Sequence, residues 1–238
     1  MKKIILAGYL VFNILVINCE DNDSNLIAHV KQSIASAEQL NSKLTADILN
    51  ISGMSSPKVR HFLNNLCSLP DARYLEIGVW RGSTFISALY GNIKTINKAI
   101  AIDQWKDLNV PGLGNQKQFF LANTAKFIPS QSFKLCEQDS FAIIPKDICQ
   151  DSINIYFYDG DHRESSQYQA FMHYNIILAQ RFIAIVDDWN HPSVKAGTRR
   201  AFKDLKYKVL FEAELPSNYN GDIDNWWNGL YVAVIEKI

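Results

Sequence analysis

Apolar and polar residues alternate along the chain in blocks that predict strands and helices in turn. Short apolar runs rich in β-branched and aromatic residues are typical of strands buried on both faces. Such runs lie at 74–77, 99–102, 133–136, 153–158 and 182–186. Stretches with helical spacing separate them, as at Phe85, Ile86 and Leu89. This alternation predicts an α/β protein with a mostly parallel, Rossmann-like sheet and helices on both faces.

The two ends of the chain depart from this alternation. Apolar residues from Leu26 to Ile48 recur at helical spacing and predict one long amphipathic helix that ends before Gly53. Ser56-Pro57 then has the residues of a cap and a first turn, which predicts a second helix. Near the end, 207–213 and 229–235 are strand-like with no helical pattern between them. We expect these two segments to form an antiparallel pair at one edge of the sheet.

Length and composition limit the domain count and the classes of partner. A chain of 238 residues, 47% of them hydrophobic, is long enough for one sizeable core. We therefore expect residues 21–238 to form a single domain with a helical extension at 21–70. Because Lys+Arg and Asp+Glu both number 24, net charge gives no reason to expect nucleic acid as a partner. The four cysteines have no metal or redox spacing, which predicts isolated buried thiols.

Residues 1–20 have a different character. Lys2 and Lys3 precede an apolar stretch at 4–19, and acidic residues follow it. This order is that of a secretory signal, and the residues before Cys19 loosely resemble a lipoprotein cleavage box. A buried strand or helix, or an extension upstream of the true start, accounts for the same pattern. Export or membrane anchoring through 4–19 and a location in the cytoplasm both stay open here.

Two acidic clusters directly follow the strands predicted at 153–158 and 182–186. They are Asp159-Gly160-Asp161-His162 and Asp187-Asp188-Trp189. The carboxyl ends of parallel strands lie at one edge of a sheet, where ligands bind in open α/β folds. Carboxylates gathered there repel one another unless a cation holds them, and oxygen ligands select a hard metal such as Mg²⁺. The two clusters therefore predict metal-assisted chemistry.

A glycine-containing loop, Glu76-Ile77-Gly78-Val79-Trp80-Arg81-Gly82-Ser83-Thr84, follows the first strand. Its glycines permit a tight turn and a close approach of backbone to ligand, and the helix start at Ser83 offers free amides. The loop matches neither the dinucleotide-binding G-x-G-x-x-G motif nor the phosphate-binding G-x-x-x-x-G-K-[ST] motif. Asp103 ends the second strand, where a ribose-binding carboxylate lies in such folds, and Asp139 follows the third. Acidic residues at successive strand ends predict a nucleotide-type cofactor.

These motifs carry a family resemblance. Residues 74–83 resemble the first motif of class I S-adenosylmethionine-dependent methyltransferases. The two acidic clusters and residues 197–202 resemble the branch of macrocin- and mycinamicin-type sugar O-methyltransferases. The resemblance covers about residues 57–238 and implies a seven-stranded, mostly parallel sheet with an antiparallel last strand. It also implies methyl transfer to a hydroxyl of a small-molecule acceptor, a sugar or other small polyol.

The resemblance further implies roles for individual residues. The implied S-adenosylmethionine site consists of Glu76, Gly78 and Gly82 for the methionine part, Ser83 at the helix start, Asp103 for the ribose, and Asp139 with Ser140 for the adenine. Asp159, Asp187 and Asp188 would bind a divalent cation, with magnesium expected. His162 falls where related enzymes place a general base, and an imidazole that titrates near neutrality suits that role. Because S-adenosylmethionine is made in the cytosol, this cofactor favours a cytoplasmic location.

Two alternative functions stay open. The first is an iron-dependent hydroxylase of related fold, which would need a second positioned histidine. The sequence places only His162 well for that site. The second is an exported binding protein that keeps the fold without catalysis. The aromatic residues and the histidine near predicted strand ends are candidates for an acceptor pocket, although packing explains such residues more often: Trp189, His191, Trp226 and Trp227.

Overall fold

The computed structural model describes residues 24–106, 115–150 and 152–238. Seven strands form one sheet in the order β3-β2-β1-β4-β5-β7-β6. Their bounds are β1 Ala72–Ile77, β2 Ile96–Asp103, β3 Lys134–Glu137, β4 Ile153–Tyr158, β5 Leu178–Val186, β6 Lys208–Leu215 and β7 Leu230–Glu236. All neighbouring strands from β3 to β5 are parallel, whereas β7 runs antiparallel to both β5 and β6. The predicted fold class and the predicted antiparallel pair are both confirmed.

Helices cover both faces of this sheet. They are α1 at 24–38, α2 Ala46–Leu49, α3 Pro57–Leu66, α4 Ser83–Leu89, α5 Gln116–Phe127, α6 Pro145–Ile148, α7 Glu164–Tyr174 and α8 Pro192–Asp204, with 3₁₀ turns at Ser130–Ser132 and Asn175–Ile177. Successive strand residues point to opposite faces, so the central strands contribute to two cores. In β4, Ile155 and Phe157 belong to the core under α1, α3, α4 and α5, and Tyr156 and Tyr158 to the core under α7 and α8. The continuous apolar runs follow from this double burial.

The predicted long helix before Gly53 is wrong. The helix ends with α1 at residue 38, and only the single turn of α2 follows before the chain reaches α3. Leu40 has a φ of 52°, and the amides of Leu40 and Asn41 bond the carbonyls of Ala37 and Ser36 at 3.0 and 2.9 Å. These two bonds form a Schellman motif, in which glycine usually occupies the residue with left-handed backbone. Because leucine occupies the left-handed position here, the sequence carries no stop signal.

The predicted start of α3 is confirmed. Ser56 is its N-cap and accepts a hydrogen bond from the amide of Val59 at 3.3 Å, and Pro57 is the first helical residue. Cys67 and Cys149 are buried and Cys136 is half-buried, in line with the expected isolated thiols. The apolar segment 1–20, with Cys19, lies outside the described residues. Within the described ranges no helix combines the length and the apolar character that crossing a membrane requires.

Candidate active site at the strand ends

The central strands β1 and β4 run side by side, and their connections leave towards opposite sides of the sheet. Such a switch point is where open α/β sheets bind ligands. The backbone ladder continues past the strand ends: Asp159 N bonds Ile77 O at 2.9 Å, and Asp187 N bonds Tyr158 O at 3.2 Å. These bonds place the first residues after β1, β4 and β5 in one row. The predicted acidic clusters therefore meet at this edge.

Gly78 makes the close approach of the first two loops possible. Its φ is 90°, and a Cβ at this position would lie 1.8 Å from the carbonyl oxygen of Asp159. A side chain here would collide with the backbone that carries the acidic cluster before it reached a bound cofactor. Gly78 thus fixes the geometry of both loops, and a substitution at this position reports on folding of the site.

Asp159, Asp187 and Asp188 form a cluster of carboxylates. Oxygen atoms of the three side chains lie within 4.8 Å of one another. Asp187 and Asp188 are almost fully buried. Within the described chain, the buried Oδ1 of Asp187 has no hydrogen-bond partner. A buried oxygen without a donor is costly, so the cluster is suited to a ligand that the protein itself does not supply.

Burial and charge repulsion both raise the pKa values of Asp159 and Asp187. Burial raises the pKa of Asp159 well above its ordinary value, and the neighbouring Asp187 and Asp188 carboxylates raise it further. Burial and Asp188 likewise raise the pKa of Asp187. Carboxylates gathered in a low-dielectric setting repel one another, and a bound cation would compensate their charge. The donor set, carboxylate oxygens alone, fits a hard divalent cation such as Mg²⁺.

A sharp turn after β5 orients Asp188. Its φ is 57°, in the left-handed region that aspartate tolerates better than most residues. The segment before β7 holds the turn, because the amides of Trp189 and Asn190 bond the carbonyls of Gly229 and Asn228 at 2.9 Å each. The Asn228 side chain also donates to Asp188 Oδ1. The edge pair predicted from the sequence therefore supports the site directly.

His162 lies on the loop after β4 and contacts the carboxylate cluster. Its Nε2 is 2.5 Å from Asp188 Oδ2, and its side chain is 47% exposed. The hydrogen bond to Asp188 raises the pKa of His162, and burial opposes this shift in part. The His162 ring also stacks on the ring of His191, with centroids 5.6 Å apart. The prediction that only one histidine is well placed is wrong, because the turn after β5 brings His191 to the same spot.

Five of the seven predicted cofactor residues line a connected set of cavities beside the cluster. They are Gly78, Ser83, Asp103, Asp139 and Ser140. Asp103 also ties two loops together, because its oxygens accept from the amides of Trp80 and Trp105 at 2.8 Å each. Burial raises the pKa of Asp103, and these amides partly offset the shift. Gly82 lies outside these cavities, as the N-cap of α4, where an added Cβ would lie 3.0 Å from the Phe120 side chain.

Glu76 also lies outside these cavities. It is fully buried under the loop, where it accepts hydrogen bonds from the hydroxyls of Tyr74 and Thr84. Thr84 lines one of the cavities, so Glu76 supports the cavity wall from behind. Sequence spacing placed the residue at the correct strand end, but it could not show which way the side chain turns.

Glu76→Gln should change how stability depends on pH. Burial raises the pKa of Glu76 from 4.5 to about 7, against the lowering effect of the Thr84 and Tyr74 hydrogen bonds. Because the folded state binds this proton more tightly than the unfolded state, protonated Glu76 contributes to the free energy of unfolding. This contribution is complete below pH 4.5 and is lost as the pH rises through about 7. The loss is roughly 3 kcal/mol. In urea unfolding, wild type should lose stability relative to the variant across this range, and parallel pH profiles would contradict the assignment.

The cavity beside the cluster contains residues that sequence reasoning missed. Its volume is about 590 Å³, and the missed residues in its lining include Met54, Trp105, Lys106 and Asn228. Of the four candidates near strand ends, Trp227 lines this cavity, whereas Trp189 and Trp226 are buried in the core. Met54 comes from the loop before α3, and no motif marks it or Asn228. These residues could be found only from the folded chain.

Comparison with known proteins agrees with this geometry. Residues 75–189 match a family described as a methyltransferase domain, and this range runs from β1 to the turn after β5. It contains both acidic clusters, the glycine loop and all of the predicted cofactor residues. No curated protein matches the chain.

Solved structures with the same fold are methyltransferases of low sequence identity. The O-methyltransferase TomG from Streptomyces achromogenes, solved with SAM, has a TM-score of 0.57 and 15% identity over 87% of this chain and 89% of its own. The O-methyltransferase from Bacillus cereus, solved with SAH, has a TM-score of 0.55 and 13% identity over 88% and 91%. TrmN from Thermus thermophilus has a TM-score of 0.51 and 13% identity over 81% of this chain. The chain spans about half the length of TrmN and of two other matched structures.

Proposed function

We propose that the protein transfers the methyl group of S-adenosylmethionine to a hydroxyl of a sugar or small polyol, because residues 75–189 match a family described as a methyltransferase domain. In this proposal the transfer is assisted by a divalent cation. The observation that carries the proposal is that two cavities share one wall. Gly78, Asp103 and Gly160 line both the cavity next to Asp139 and the cavity that contains Asp159, Asp187 and Asp188. A donor in the first cavity can therefore reach an acceptor held in the second.

The first cavity suits the cofactor. Asp103 presents a carboxylate at the end of β2, as ribose hydroxyls require, and Asp139 and Ser140 lie after β3. Asp139 Oδ1 already accepts from the amide of Phe141 at 2.9 Å, which orients the carboxyl group. Two of the solved structures with this fold contain SAM or SAH, which supports the same ligand here.

The second cavity suits a polar acceptor. Asp159, Asp187 and Asp188 would hold a divalent cation, which supplies charge stabilisation to an acceptor oxygen. Asn228 and Lys106 offer further polar groups, and Trp105 and Trp227 offer aromatic surface. Indole faces pack well against the C–H faces of a sugar ring, so this mixture of groups favours a sugar or cyclic polyol over a charged or purely apolar acceptor.

His162 is the group that would remove the acceptor proton. It lines the second cavity, and its Nε2 faces Asp188. Proton removal requires the neutral imidazole, and Asp188 stabilises the imidazolium that results. The chain's own contribution is thus to hold the hydroxyl near a base, to accept its proton and to line the two adjoining cavities.

S-adenosylhomocysteine should raise the melting temperature, whereas NAD at the same concentration should not. At a hundredfold excess over Kd the ligand adds about 2.7 kcal/mol, or roughly 5–10 °C for a chain of this size. Ser140→Phe should abolish the shift, because its ring would fill the first cavity. Ser130→Phe, in the 3₁₀ turn before β3, should keep it. Stabilisation by NAD and not by S-adenosylhomocysteine would overturn the proposed cofactor.

A further inference from the structure

Asp188 belongs to two groups of metal-ligating side chains. The first is the carboxylate cluster with Asp159 and Asp187. The second consists of Asp188 with His162 and His191, whose ligand atoms also lie within 4.8 Å of one another. Two of the three groups in the second set are imidazoles, so its chemistry differs from that of the first.

We propose that His162, Asp188 and His191 form a second divalent-cation site, which takes ions of the zinc class. Imidazole nitrogens favour Zn²⁺, Co²⁺ and Ni²⁺, whereas carboxylate oxygens alone favour Mg²⁺. A ligand set of two histidines and one carboxylate leaves open coordination positions for water or a substrate oxygen. The shared Asp188 makes this site adjoin the carboxylate cluster.

The fold holds Asp188 and His191 in place without a metal. Asp188 is buried, its turn is fixed by the segment before β7, and Asn228 bonds one of its oxygens. His191 is the N-cap residue of α8, and its amide donates to the carbonyl of Asp188 at 2.9 Å. Asn220 contacts His191 Nε2 at 3.3 Å. Because such contacts orient ligands beforehand, little conformational entropy is left to lose on binding.

His162 has to move for a metal to bind. Its Nε2 is 2.5 Å from Asp188 Oδ2, whereas ligand atoms around a tetrahedral zinc ion are about 3.3 Å apart. The ring is 47% exposed and lies on the loop after β4, where the Ser193 hydroxyl bonds its backbone carbonyl at 2.8 Å. Moving an exposed side chain by about 1 Å costs little free energy compared with the free energy that two metal–nitrogen bonds contribute.

Occupancy of this site would have a consequence for catalysis, and this consequence rests on the proposed function. A zinc-class ion takes the lone pair of His162 that would otherwise accept the acceptor proton. It also shares Asp188 with the carboxylate cluster. Zinc should therefore inhibit an enzyme that magnesium supports. Binding itself does not depend on methyl transfer, so the site can be tested whether or not an acceptor is known.

The test is zinc binding to the full chain without a polyhistidine tag, measured by competition with a chromogenic chelator. His191→Ala and His191→Gln should each weaken zinc binding by more than about tenfold. Asp159→Asn should leave zinc affinity close to wild type, because Asp159 belongs to the carboxylate cluster alone. His29→Ala is the matched control. His29 lies away from the site, and its Nε2 is 3.0 Å from the carbonyl oxygen of Leu66.

Two results would overturn the second site. Unchanged zinc affinity in both His191 variants would show that His191 is not a ligand. An equal loss in Asp159→Asn would show that zinc occupies the carboxylate cluster instead. Melting temperatures in chelator separate a lost ligand from a misfolded variant. Cobalt offers an independent readout, because its visible absorption should change between wild type and His191→Ala if a nitrogen ligand is lost.

Discussion

Asp188→Asn should reduce methyl transfer by on the order of 10³-fold or more, while the affinity for S-adenosylhomocysteine stays close to wild type. The substitution removes the negative charge that the proposed cation and the imidazolium of His162 both require. It spares the first cavity, whose lining includes Asp103 and Asp139 but not Asp188. Asparagine tolerates the φ of 57° at this position and can still accept from Asn228, so the turn should persist.

The measurement is single-turnover methyl transfer with and without chelator, beside calorimetric titration of S-adenosylhomocysteine. Asp204→Asn, on the surface at the end of α8, is the matched control and should retain full rate. Magnesium should stabilise wild type against heat and should not stabilise Asp188→Asn. Full activity of wild type in chelator, or of Asp188→Asn in magnesium, would refute the assistance by a cation.

The positions of the residues at the strand ends were predictable because the sequence shows which strands are buried and in which direction they run. Continuous apolar runs located β1, β4 and β5, and parallel pairing then required Asp159 and Asp187 to emerge at one edge. The ladder bonds beyond the strands complete this arrangement. Residues that directly follow a buried strand can therefore be assigned to a site from the order of residues alone.

Side-chain direction and irregular backbone were not predictable in the same way. Leu40 and Asp188 both adopt positive φ, which no local pattern of leucine or aspartate demands. The positive φ of Leu40 ends α1. The positive φ of Asp188 turns this residue towards His162 and brings His191 beside them. Glu76 turns inward because Tyr74 and Thr84 offer it hydroxyl donors. Only the Asp188 turn is held by a segment distant in the chain, the one that contains Asn228; the other two outcomes depend on backbone and side-chain geometry that residue types alone do not determine.

His162→Ala should retain cofactor binding and stabilisation by magnesium, yet lose on the order of 10² to 10⁴-fold in the rate of methyl transfer. Because only the neutral imidazole accepts a proton, the wild-type rate should rise with pH through the titration of His162, and this limb should be absent from the variant. The ring is half-exposed and belongs to neither hydrophobic core, so its removal should leave the fold intact. Single-turnover rates across pH, in excess magnesium and free of zinc, measure the effect. An unchanged rate and an unchanged pH profile in His162→Ala would remove this residue as the base and leave proton removal to another group in the second cavity.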